Sequence, residues 1–402
     1  MPHDINLIAI LVAGFGLALI FGYLATRLKL PSLVGYLLAG ILIGPTTPGF
    51  VGDMGLALQL SEIGVMLLMF GVGLHFSLSD LMAVKRLAIP GAVLQIALAT
   101  LLGVGLGLWW DMSVIGSLVF GLSLSVASTV VLLRSLEARG LLLTADGKIA
   151  VGWLVVEDLV MVLMLVLLPV VAGLTDKTDA PGTVSFASSD LWVSLGLTFV
   201  KLAGFVVLML VVGKRVLPWM LDKVAQTGSR ELFTLCVISV ALGTAFLAAS
   251  VFDVSFALGA FVAGMMLRES DLSHRAAEES LPLRDAFAVL FFVSVGMLFD
   301  PTIVVREPGL LLLTVFLVMI GKTVIAAGFV LLTGHSTRTA LVVSASLAQI
   351  GEFSFILAGM GVAMKLINQE VYSVILAAAF VSIALNVALM DGALKIADSR
   401  EA

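Results

Sequence analysis

The sequence is cut by Pro, Gly and charge clusters into about thirteen apolar runs, roughly 5–26, 31–44, 54–75, 86–109, 113–135, 148–173, 191–217, 229–250, 253–268, 282–299, 309–333, 338–361 and 370–394. Most reach the ~20 residues that a helix needs to cross a hydrocarbon layer about 30 Å thick. Backbone polar groups inside that layer have no water to bond, so such runs must fold as helices unless protein or an aqueous cavity covers them. The second and ninth runs are short for full crossings, which predicts tilt, re-entry or interruption. Composition agrees: 60% of the 402 residues are hydrophobic and 12% charged, where soluble chains carry about 25% charge. We therefore expect an all-α polytopic membrane protein with no role in nucleic-acid binding. Cys236 is the single cysteine, so neither an intrachain disulfide nor a cysteine metal cluster can form. The N-terminal MPHDINLIAILVAG has no basic leader and runs into a full apolar span, as a first transmembrane helix does and a cleaved signal does not.

Charge placement tests the span count. Of the 22 Lys and Arg, 17 follow odd-numbered spans, three (Lys177, Arg306 and Lys365) follow even-numbered ones, and Lys201 and Lys322 lie inside spans. One missed or invented helix would scramble this alternation. By the positive-inside rule the N-terminus is expected outside and the C-terminus in the cytoplasm.

An internal repeat follows from two matches in one register. GYLLAGILIG from Gly35 aligns with GAFVAGMMLR from Gly259, and GVGLHF from Gly71 with SVGMLF from Ser294, at an offset of about 223 to 224 residues. This maps span two onto span nine, an odd step, so the second copy is expected to lie upside down relative to the first. We read one transmembrane domain over 1–402, with repeat one at about 5–173, a linking helix at about 191–217 and repeat two at about 229–394. Inverted repeats mark secondary transporters, whose substrates bind near the midplane where helices are discontinuous. At the same offset LSLSVASTVV in span five falls near ASLAQIGEFS in span twelve, and both are polar for their depth. Ser128, Thr129, Gln349 and Glu352 are candidates there; close helix packing explains the serines equally well.

Span six, GWLVVEDLVMVLMLVLLPVVAG, carries Glu157 beside Asp158. A single charge at mid-membrane costs about 2.5–3.5 kcal/mol on insertion scales. Neighbours on a helix point about 100° apart, so each acid needs its own partner. The buried cations are Lys322 and Lys201. A static ion pair is the plain alternative, weakened because buried pairs often fail to offset their desolvation. A desolvated carboxylate is neutralised by a proton or by a cation, and that competition at one site is all an exchanger needs.

VVEDLV, ASTVVLL, QIGEFSF, LVGYLLAGILIGP, ALGAFVAG and FFVSVGM together resemble the monovalent cation:proton antiporter-2 family. Within it the chain is similar to the Kef-type potassium/proton antiporters, and LLMFGVGLHFSLSDLMAVK to their YbaL-like branch. The likeness covers nearly the whole chain. It implies a thirteen-helix Na+/H+ antiporter-like fold with inverted six-helix repeats, two discontinuous crossing helices, a dimerisation part, and elevator-type exchange of K+ or Na+ for protons without a cofactor. It assigns Asp158 as the shared cation and proton site, Ser128 and Thr129 as the unwound segment beside it, Lys322 as the lysine that contacts the preceding acid in electrogenic relatives, and Gln349 and Glu352 as polar positions of the second crossing helix.

Two departures stand out. Typical Kef proteins have Gln where this chain has Glu157, which leaves electroneutral and electrogenic exchange both open. Kef-type proteins usually continue into a cytoplasmic nucleotide-binding domain, and no GxGxxG segment follows span thirteen; the chain is expected to be the transmembrane part of a longer protein. The alternatives are a ligand-gated potassium efflux channel, a Na+/H+ antiporter, or a membrane enzyme. The enzyme ranks last, since His3, His75, His274 and His335 all fall at ends or in loops. Val34-Gly35-Tyr36 resembles part of a potassium filter, but the repeat accounts for the same segment. Glu62, His75 and Lys201 keep open roles, and 174–190 reads as an external tether.

Overall fold

A computed structural model describes residues 6–28, 30–47, 50–75, 78–175, 189–252, 254–268, 270 and 272–401. In chain order the helices are α1 (Asn6–Arg27), α2 (Ser32–Ile43), α3 (Met54–His75), α4 (Leu78–Trp109), α5 (Val114–Ser125), α6 (Thr129–Glu137), α7 (Ala145–Thr175), α8 (Ser189–Leu208), α9 (Lys214–Ala225), α10 (Arg230–Phe252), α11 (Phe256–Arg268), α12 (Ser273–Met297), α13 (Ile303–Arg306), α14 (Pro308–Phe316), α15 (Lys322–Leu332), α16 (Thr337–Ser346), α17 (Glu352–Ala363) and α18 (Gln369–Glu401). Single π-turns at Met209–Gly213 and Leu317–Gly321 join α8 to α9 and α14 to α15. Among the described residues, eight helices are long and apolar enough to cross a membrane, and α2, α5, α11 and α17 are shorter apolar helices.

The runs read from hydropathy differ from these helices in consistent ways. α12 begins at Ser273 rather than near 282, and α18 runs to Glu401 rather than 394. Hydropathy marks the membrane-crossing part of a helix, whereas SHRAAEES and KIADSRE continue the helix as polar turns. The runs 113–135 and 338–361 are each two helices, because the chain opens at residues 126–128 and 347–351. The proposed tether lies, over 176–188, outside the described residues.

Two bundles share the work. In one, α3 packs along both α11 and α12, with α1, α2 and α10 completing it; in the other, α4 packs on α5 and α7, and α16 on α15 and α18. The bundles meet more sparsely, chiefly where α7 touches α11 and α18 touches α2, and α8 lies between α7 and α10.

Glycine fixes the first bundle. A Cβ on Gly40 of α2 would sit 2.0 Å from the Val293 carbonyl oxygen and 2.8 Å from the Gly296 Cα of α12. A Cβ on Gly264 of α11 would sit 2.2 Å from the Phe70 carbonyl oxygen, with Gly73 of α3 in the same contact. These backbones touch, which is how helices gain adhesion where lipid removes the hydrophobic drive. The pairs Gly40–Gly296 and Gly73–Gly264 are also interchanged by the 223 to 224 residue offset of the sequence repeat.

Gly40→Ala and Gly264→Ala are each expected to lower stability by about 1–3 kcal/mol or more, the range for overpacking. Gly105→Ala, where a Cβ meets nothing within 4 Å, is the control. Thermal unfolding of the purified proteins checks this; equal midpoints for all three would refute the close-contact account.

Candidate functional site

The second bundle contains two openings in its helices, and they lie against each other. α5 stops where the β-branched Val126 goes extended (φ −106°, ψ 141°). α17 starts after Gly351, also extended (φ −101°, ψ 173°). Gly351 N–H donates to the Val126 carbonyl at 3.2 Å, and a Cβ on Gly351 would lie 2.3 Å from the Ala127 carbonyl oxygen. Only glycine lets the two strands of open backbone cross this closely.

Every break exposes helix-end donors and acceptors that need partners. The fully buried Gln349 supplies two: its Oε1 accepts from Ser128 N–H at 2.9 Å, and its Nε2 donates to the Ser128 carbonyl at 3.2 Å. The side-chain amide thus imitates a strand neighbour. Ser128 Oγ accepts from Val131 N–H at 3.3 Å, capping α6. On the other opening, Lys322 Nζ donates to the Gln349 carbonyl at 3.0 Å, Asn386 Nδ2 to the Ala345 carbonyl at 2.8 Å, and Ser382 Oγ accepts from Ile350 N–H at 3.3 Å. The π-turn before Lys322 adds a residue to the helix, with the Lys322 N–H reaching back to Leu317; such bulges frequently accompany functional positions.

The two acids of α7 face different ways, as adjacent helix residues must. Glu157 is fully buried and turns to the first opening: its Oε2 accepts from Ala127 N–H at 2.9 Å, and its Oε1 from Gln95 Nε2 of α4. Asp158 turns to α6 and α17. Thr129 Oγ1 donates to its Oδ2 at 3.1 Å, while its Oδ1 is buried with no hydrogen-bond partner. Glu352, the first residue of α17, faces Ser128 and Thr129 and acts electrostatically on Asp158. Its Oε2 is likewise buried without a partner.

The structure therefore brings Asp158, Thr129, Ser128, Gln349 and Glu352 together at the crossing. It does not join Glu157 to Lys322 by a direct ion pair. Each senses the other's charge, but both spend their hydrogen bonds on opposite breaks. Lys201 lies part-buried on α8, and Glu62 is exposed on α3 in the other bundle; neither belongs to the crossing. The His75 side chain lies outside the described residues. Sequence reasoning missed Gln95, Ser382 and Asn386. The available signal was a lone amide in the middle of an apolar run, as in AVLQIALAT and SIALNVAL.

The model of the family described as sodium/hydrogen exchanger, transmembrane, matches residues 15–391. The chain belongs to the sodium/hydrogen exchanger family. Members of this family are transporters, and the chain is not an enzyme. It is 58% identical over 386 residues to a protein of Escherichia coli K12 named as the cation/proton antiporter YbaL, covering 96% of this chain and 68% of that one. It is 35% identical over 349 residues to K(+) efflux antiporter 4 of Arabidopsis thaliana, covering 86% and 57%. The chain thus spans between about half and two thirds of the length of such relatives. The solved structure of the sodium proton antiporter MjNhaP1 from Methanocaldococcus jannaschii superimposes with a TM-score of 0.69 over 97% of this chain and 98% of that one, at 18% identity. The fold is shared with that exchanger, and the resemblance to Kef-type antiporters holds.

Replacing Gln349 by Leu leaves a buried N–H and a buried carbonyl of Ser128 without their side-chain partner. Each orphaned group costs about 1–3 kcal/mol, so Gln349→Leu should unfold at markedly lower temperature than wild type. An unchanged midpoint would mean the amide does not hold the crossing together.

Proposed function

We propose that the chain exchanges a monovalent cation, K+ in preference to Na+, for protons by alternating access, with Asp158 as the shared site. The observation that carries this reading is the pair of buried carboxylate oxygens left without partners, Asp158 Oδ1 and Glu352 Oε2, flanking the open backbone of the crossing. Buried polar atoms are almost always satisfied. Two unsatisfied acid oxygens beside Ser128 and Thr129 form a cradle whose missing partner is a proton or a cation. Carboxylate, hydroxyl and carbonyl oxygens suit a hard monovalent ion, and Thr129 orients the aspartate for it.

Exchange follows from charge. With a cation or a proton at Asp158 the site is neutralised and the bundle that holds it moves; empty and charged, it faces the membrane penalty. The first bundle, stiffened by its glycine contacts, is the fixed partner in this scheme. The symmetric glycine pairs support the thirteen-span arrangement with inverted repeats at about 5–173 and 229–394, linked by the helix near 191–217. The distribution of Lys and Arg supports an outside N-terminus and a cytoplasmic C-terminus, and the reading places the chain in the cell's inner membrane. Potassium is favoured by the names of the relatives that are K+ efflux antiporters, and a homodimer completes the reading.

Sealed vesicles containing the chain should show proton movement on a pulse of K+, and weaker movement on Na+. In Asp158→Asn that movement should drop to the level of protein-free vesicles. Potassium flux without protons, or normal exchange by Asp158→Asn, would overturn the assignment.

A further inference from the structure

Among the described residues, Gln95 is the side chain that bonds both Glu157 and the end of the opened backbone. It is fully buried on α4, and Nε2 donates to Glu157 Oε1 and reaches the Ser125 carbonyl at 3.5 Å. Both neighbours are acceptors, so the amide has one useful orientation, and its own Oε1 is left with no partner. The amide gives up its acceptor end to place both N–H bonds. Lys322 does the corresponding job from α15, donating to the Gln349 carbonyl of the second opening. One break is capped by a neutral amide with an acid behind it, the other by a cation.

This arrangement separates two charges that could otherwise meet. Glu157 is engaged by Gln95 from one side and by the Ala127 N–H at 2.9 Å from the other. Lys322 is engaged by a carbonyl. The charged groups around Glu157 are Lys322 from α15 and Asp158 on its own helix, with Glu352 from α17 acting on Asp158. We propose that Gln95 is a positioning residue that holds Glu157 as a fixed acceptor for the first break and keeps it from closing an ion pair with Lys322, so that Glu157 takes no part in proton exchange. The proposal rests on Asp158 being the exchange site. It predicts which acid carries protons: Asp158, whose oxygen is free, and not Glu157, whose oxygens are both bonded.

The test is cation-driven proton movement in vesicles at clamped membrane potential, over a range of pH, for wild type, Gln95→Leu and Gln95→Leu/Glu157→Gln. Without the amide, Glu157 swings to Lys322 and the opening and closing of that pair adds a proton to each cycle. Gln95→Leu should then gain a dependence on imposed voltage that wild type lacks, together with a displaced pH profile. The added Glu157→Gln should remove both changes. Should Gln95→Leu fold poorly, Gln95→Met, nearer in shape, carries the same expectation. Gln95 variants with the voltage response and pH profile of wild type would overturn the proposal, as would a change that persists when Glu157 is also replaced. Wild-type vesicles showing no cation-driven proton movement would instead defeat the Asp158 reading, which separates the two failures.

Discussion

A helix opened inside a membrane leaves several N–H and C=O groups with no water to turn to, and each one left unpaired costs several kcal/mol. The second bundle is organised around this cost. Gln349 bonds the Ser128 backbone on both sides, Gly351 bonds Val126, and Gln95, Glu157, Lys322, Ser382 and Asn386 reach in from α4, α7, α15 and α18 to take up what remains. Polar side chains that look extravagant in an apolar sequence are mostly repair. Among the buried polar atoms that this repair leaves without a partner are two carboxylate oxygens at the candidate site, Asp158 Oδ1 and Glu352 Oε2.

Glu157 and Asp158 show how one helix serves both purposes. A turn of about 100° between neighbours sends one acid to the first opening and the other to the cradle beside Thr129. Glu157 completes backbone bonding, and Asp158 bonds Thr129 through one oxygen and leaves the other without a partner. Lys322 follows the same logic. Its ammonium group covers a carbonyl of the second opening, and its charge is felt by Glu157 without a direct ion pair.

Much of this was legible in the sequence for physical reasons. Apolar runs must become helices in lipid, so the long elements read directly from hydropathy, which misplaced polar ends such as those of α12 and α18 and ran through the openings that divide 113–135 and 338–361. The acids of α7 and the polar stretches around Ser128 and Gln349 stood out because charge and polarity are expensive at depth. Partner choice was not legible. Nothing in a linear string distinguishes Lys322 bonding a carbonyl from Lys322 bonding Glu157, since the two lie 165 positions apart with α8 to α14 between their helices. Gln95 escaped notice because one amide in an apolar run carries no spacing pattern, and its meaning exists only once α4 lies against α5 and α7.

The glycine contacts of the first bundle have a consequence for the history of the chain. At positions 40, 73, 264 and 296 the neighbouring backbone occupies the space of the first side-chain carbon, so nearly every codon change there is a structural lesion. If one ancestral segment was duplicated to give both halves, these four sites were locked together from that moment, each half preserving the other's glycine. Among the described residues the sparse seam between the bundles carries no such glycine contact, so substitutions there meet a weaker steric barrier.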